Sequence, residues 1–176
     1  MTCVQSIVQL TSVEIVAIDG KTNRRSHHRK ICKDALHLVS AFAATNGIAL
    51  GQRAIDTKSN ELKAIPKLLN ILNVSGCIVT IDAAGCYKPV VKSIIKRGAN
   101  YVIAVKQNQP TLCNDIETLF KHYTTTDLPY ARTEERNRGR QERRECWVMT
   151  AKPLLQHIHH KKTWRQLRSI AKISNT

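Results

Sequence analysis

An α/β fold built on a mixed sheet, with helices on its faces, is what the sequence predicts. Three observations carry this. Three β-rich runs come first, at 13–19, 35–44 and 48–55. An Asn-Gly pair, a hairpin signal, joins the second run to the third. Helical and strand-like spacing then alternate from Leu62 to Phe120. Successive strands followed by alternating helix and strand place helices on the faces of a mixed sheet.

The first run, VEIVAID (13–19), is short and β-branched and ends on Asp19. A basic loop, KTNRRSHHRK (21–30), follows. ALHLVSAFAA (35–44) and IALGQRAI (48–55) flank Thr45-Asn46-Gly47. Leu62, Ile65, Leu68, Leu69 and Leu72 then lie on one helical face. Ser59 is a candidate N-cap, and Pro66 blurs where that helix starts. CIVTID (77–82) is the next strand and ends on Asp82. In KPVVKSIIKRG (88–98), Val90, Val91, Ile94 and Ile95 share a face and Gly98 stands at the stop position. YVIAVK (101–106) is a strand, and Pro110 suits the first turn of a helix carrying Leu112, Ile116, Leu119 and Phe120. The resulting order, β-β-β-α-β-α-β-α, matches the ribonuclease-H-like fold. A charged β insertion is expected at 131–150, turning apolar from Cys146 to Met149. One domain is expected over 1–176, with its core at 13–122 and the charged insertion and tail at 123–176.

The bulk numbers narrow the function. A chain of 176 residues with 42% hydrophobic content buries a core of its own. Its 28 Lys and Arg against 13 Asp and Glu give +15, a field that favours polyanions, chiefly nucleic acid. No two of Cys3, Cys32, Cys77, Cys86, Cys113 and Cys146 form C-x-x-C, which argues against a zinc knuckle or redox pair. No apolar run approaches the ~18 residues of a membrane span, so a cytoplasmic protein without membrane contact is expected. His157, His159 and His160 in the basic tail read as solvated residues before they read as metal ligands.

Asp19 and Asp82 share a context. Each ends an apolar strand and each precedes small residues. On neighbouring strands about 4.8 Å apart, the two carboxylates would meet and repel. A divalent cation removes that conflict, and an oxygen-only site with room for water suits Mg²⁺ or Mn²⁺. Two such ions activate an attacking oxygen and stabilise a leaving one in phosphodiester chemistry. The bland alternative is that each aspartate caps a turn after its strand.

Five blocks then become specific in this order and spacing: AIDGKTNRRS (17–26), LHLVSAFAATNGIALGQ (36–52), KSNELKAIPKLL (58–69), GCIVTIDAAGC (76–86) and YVIAVKQNQPTL (101–112). RGRQERRECWV (138–148) and the Trp164 region extend the set. Together they resemble the transposases associated with Rhs-element H repeats, a branch of the DDE insertion-sequence transposases. The resemblance implies a ribonuclease-H-like core and metal-dependent cleavage and transfer of DNA strands at insertion-sequence ends. It makes Asp19 and Asp82 the first two catalytic, metal-holding acids, with water and then a DNA 3′-hydroxyl as nucleophile. Lys21, Arg24 and Arg25 become candidate phosphate contacts. Lys106 and Asn108 fall in the family's Lys-x-Asn-Gln block, where capping of the next helix is their plainer role. A homodimer is the candidate assembly.

The chain departs from the family at Asn23, Arg25 and Arg138, where leucine, glycine and histidine are usual. Its relatives are longer, and their third acid lies on a helix beyond the Trp164 block. A truncated, catalytically impaired copy is therefore expected. Glu142 is the substitute third acid to consider, ahead of Glu61, which capping or exposure explains. The alternative is a basic fragment that binds DNA without cleaving it.

Overall fold

The computed structural model describes residues 13–23, 36–55, 61–123, 128–137, 140–150 and 156–176. The chain divides into two compact units, Met1–Asn108 and Gln109–Thr176.

In the first unit, β1 (Ile15–Asn23), β2 (Leu36–Ala43) and β3 (Ile48–Ile55) form an antiparallel meander. Gly47, with φ +66, closes the hairpin between β2 and β3, as the Asn-Gly pair predicts. α1 (Glu61–Ile71) leads to β4 (Ile78–Ile81), and α2 (Lys88–Lys96) leads to β5 (Asn100–Ile103). β4 pairs parallel with both β1 and β5, giving the order β3-β2-β1-β4-β5. Only β2 runs against the other four. This is the mixed, ribonuclease-H-like sheet that the order of elements predicts.

Alternation along the strands separates two faces. Val16, Ile18, Ala41, Val79 and Ile81 point into the core with Ile65, Leu68 and Leu69 of α1 and Val90 and Ile94 of α2. The other face carries the cross-strand row Phe42, Ala17, Thr80 and Val102, of which Phe42 is 42% and Val102 62% exposed. α1 continues through Pro66, which gives up one intrahelical hydrogen bond. α2 stops where expected: Arg97 follows its last turn and Gly98 takes φ +71. The Ser59 cap lies outside the described residues.

Two differences from the sequence reading matter. β1 does not end on Asp19. It runs on to Asn23 because Asp19 to Asn23 stay paired with β2, from Ser40 to Leu36. Buried Glu14 is the second. Its Oε1 accepts the Thr45 N–H at 2.9 Å and its Oε2 accepts the Asn46 side chain at 2.7 Å, so one carboxylate closes the hairpin turn.

In the second unit, α3 (Pro110–His122) buries Leu112, Leu119 and Phe120. A three-stranded sheet, in the order β6 (Tyr130–Asn137), β7 (Arg140–Met149) and β8 (Ile170–Asn175), holds the charged insertion. The tail strand β8 was not legible in the sequence. Its two isoleucines, Ile170 and Ile173, are three apart, and one is buried while the other is exposed. Tyr130, Trp147 and Lys172 form one cross-strand row, with the two rings 5.4 Å apart and Lys172 Nζ 5.8 Å from the indole.

Candidate active site

Parallel pairing of β1 with β4 runs from Ile15↔Ile78 to Ile18↔Ile81. Asp19 and Asp82 are each the next residue. The two aspartates therefore follow equivalent positions of adjacent parallel strands, whose backbones lie about 4.8 Å apart. Because Ile18 is buried, Asp19 projects from the opposite face, the one that carries Phe42 and Val102.

The supports of the two acids differ. Asp82 is extended, with φ −69 and ψ 178, and caps the 3-10 turn Ala83–Gly85. Its Oδ1 accepts the N–H groups of Ala84 at 3.1 Å and Gly85 at 3.4 Å. The turn-capping alternative is thus real at Asp82, and it orients the carboxylate without using Oδ2. Asn108 donates its side-chain amide to the Ala83 carbonyl and so ties the segment after β5 to the Asp82 turn. It does not cap α3: Gln109 is the N-cap there, and its side chain makes no capping hydrogen bond. Asp19 lies within β1, solvent-exposed, with Lys21 Nζ 3.9 Å from its Oδ2.

Capping or exposure explains Glu61 in the sequence. The structure sets it at the same end of the sheet but on the helix-covered side. A Cβ at Gly20 would stand 2.6 Å from Glu61 Cδ and 2.8 Å from its Oε2. One helical turn on, Ile65 reaches to 3.4 Å from a Cβ at Gly85. A glycine beside an aspartate, facing a helix that opens on glutamate, was the available signal.

Lys106 is exposed at the end of the segment after β5. Arg24 and Arg25 lie outside the described residues, as do Arg138, Cys3 and Cys32. Glu142 belongs to the second unit, on β7. Arg144 Nη2 lies 2.9 Å from its Oε2, and Glu135 stands directly opposite it on β6. His159 is hydrogen-bonded within the same unit, its Nδ1 2.7 Å from Asp115 Oδ1 and its N–H donating to Oδ2 at 2.8 Å. Among the described residues no group of three or more His, Cys, Asp or Glu side chains is gathered as metal ligands. The pair at the sheet edge nonetheless fits a divalent cation by its chemistry. It offers oxygen donors only, one carboxylate is pre-oriented, and both are open to the water that Mg²⁺ retains.

The family model for the transposase DDE domain matches residues 12–167. The chain belongs to the DDE transposase family. It is 40% identical over 156 residues to YncI of Escherichia coli strain K12, whose name ascribes it to the transposases; the match covers 86% of this chain and 62% of YncI. It is 39% identical over 133 residues to the H repeat-associated protein YbfD of the same strain, covering 74% of this chain and 53% of YbfD. The DDE transposase chain thus spans between about half and two thirds of these relatives. Among solved structures, a piggyBac transposase synaptic complex with hairpin DNA matches with 12% identity and a TM-score of 0.46, over 81% of this chain and 32% of that one. The fold assignment rests on strand order and direction. Among the described residues no helix is long and apolar enough to cross a membrane.

Proposed function

We propose that this chain binds DNA and holds a divalent metal at Asp19 and Asp82 for phosphodiester cleavage and strand transfer of the transposase kind. The observation that carries this reading is the register: two acids follow the last paired residues of adjacent parallel strands, Ile18↔Ile81. A bound Mg²⁺ or Mn²⁺ would supply Lewis-acid activation of water or a DNA hydroxyl. The protein's part is positional. The amides of Ala84 and Gly85 fix Asp82, the β2 ladder fixes Asp19, and Glu61 adds negative charge behind Gly20. Lys21, Lys106, Arg24 and Arg25 are assigned to phosphates of the bound strand, and insertion-sequence ends are the substrate the reading names. A homodimer, one copy per end, is the assembly it names.

The same reading assigns this chain weak cleavage. Glu142 would have to give up Arg144 to serve as a third ligand. The test is a nicking assay with Mg²⁺ or Mn²⁺ on duplexes carrying element ends, comparing wild type with Asp82→Ala. Slow, metal-dependent nicking abolished by the substitution is expected. Nicking that survives it would remove Asp82 from the site. DNA binding without any nicking would leave the non-catalytic binder as the function.

A further inference from the structure

We propose a second nucleic-acid contact on the helical layer of the first unit, ending in a cleft for a backbone phosphate remote from Asp82. It rests on the reading of this chain as a DNA binder.

The cleft, of about 200 Å³, is lined by Asn70, Leu72, Asn73, Val74, Ser93, Lys96 and Arg97. These residues end α1 and α2 and precede β4, whereas Asp82 follows β4. The four residues of β4 separate the two places by about 13 Å at ~3.3 Å per residue. A phosphate in the cleft is therefore not the one beside the paired aspartates.

Three features make the cleft a phosphate site. Arg97 Nη2 donates to Asn70 Oδ1, which holds the guanidinium across the gap between the helices. A guanidinium has five N–H donors, so most remain for a ligand, and its geometry matches phosphate oxygens. Lys96 adds a second cation, and Ser93 and Asn73 add polar atoms.

The approach to the cleft is basic throughout. Lys63 and Lys67 are four apart on α1, and Lys88, Lys92 and Lys96 are four apart on α2. Residues 62–81 and 83–98 contain no Asp or Glu. Like charges at i and i+4 destabilise a helix. Lys96 alone is explained by its place at a helix C-terminus. Lys63, Lys67 and Lys92 have no such place at a helix C-terminus, and a polyanion lying along both files supplies their counter-charge. The occupant is duplex DNA, gripped through its backbone and without sequence preference.

The experiment is fluorescence anisotropy of a labelled duplex against salt, with the whole chain. Lys96→Gln/Arg97→Gln is expected to lower affinity about 10- to 100-fold near 0.1 M salt and to reduce the slope of log K on log salt by about 1.8, the value for two lost phosphate contacts. Lys92→Gln/Lys96→Gln leaves the Arg97–Asn70 bond in place and serves if the first variant unfolds. Its expected slope loss is also about 1.8. Mn²⁺ affinity should be unchanged in both. Wild type that binds, with folded variants of unaltered slope, would overturn the cleft alone. Wild type that binds no duplex would overturn both the cleft and the function it rests on.

Discussion

At Asp82 the turn cap and the proposed metal contact can be separated by substitution. Asp82→Asn keeps an oxygen for the Ala84 and Gly85 amides but loses the charge. It should leave thermal stability near wild type while weakening Mn²⁺ binding on the order of tenfold or more. Asp82→Ala loses both and should cost a further ~1 kcal/mol of stability as a lost cap. Calorimetric titration and thermal melts read the two effects independently, and equal metal affinity in wild type and Asp82→Asn would remove the charge from the account. Glu14 is a purely structural counterpart. Glu14→Ala removes the two charge-assisted hydrogen bonds that close the exposed turn, at a cost of about 1–3 kcal/mol measurable by urea denaturation.

The core also sets an alkaline limit. Burial pushes the Cys86 thiol from 9.0 to about 11. Burial, and then the charge of Cys86, push the Tyr101 phenol from 10.0 to about 12. Unfolded chains release these protons first, so the stability they hold is full below pH 9 and is lost as pH rises through about 11 and then 12. Urea midpoints should fall across that window, and Cys86→Ala should remove the earlier part of the fall. An unchanged profile in the variant would show that the thiol is not the titrating group. Cys77 is raised as well, by burial and by Glu14.

At the scale of elements, the glycines at the sheet edge are spacers. Gly20 leaves room for Glu61, and Gly85 leaves room for Ile81 Cγ2 and Ile65. Gly85→Ala pushes into the core-facing Ile81 and should cost about 1–3 kcal/mol as overpacking. Gly20→Ala meets only the tip of a flexible glutamate, so stability should hold while Glu61 moves and Mn²⁺ affinity changes. Much of this was legible beforehand. IALGQRAI became β3 with the bounds expected, because the Asn-Gly turn and β-branched ends agree. Asp19 and Asp82 stand out in the sequence as candidates because a carboxylate at the end of an apolar run is costly without a partner. The extension of β1 past Asp19 was not legible, because it comes from pairing with β2 across a polar, basic sequence that has no strand pattern. The nearness of Glu61 to Gly20 was not legible for a related reason: the two are 41 positions apart, which no local period reveals.

For the whole molecule, charge and the open sheet face act in opposite senses. A net +15 keeps copies apart at low salt. Phe42 and Val102 present apolar surface on the side of the sheet opposite α1 and α2. Self-association should therefore rise with ionic strength as repulsion is screened. Phe42→Thr/Val102→Thr retains residues suited to strands and should suppress that rise in sedimentation velocity runs. Association that ignores both salt and substitution would place the contact elsewhere.

Asp19 sits in a ladder that continues on one side after it has stopped on the other, whereas Asp82 stands on a short turn tethered by Asn108. The two acids therefore differ in compliance. At the proposed metal site, exchanging Mg²⁺ for the larger Ca²⁺ would stretch two acids whose backbones differ in stiffness. The adjustment falls on Asp82 and its turn, so amide exchange at Ala84 and Gly85 should report ion size while the Asp19 strand stays silent.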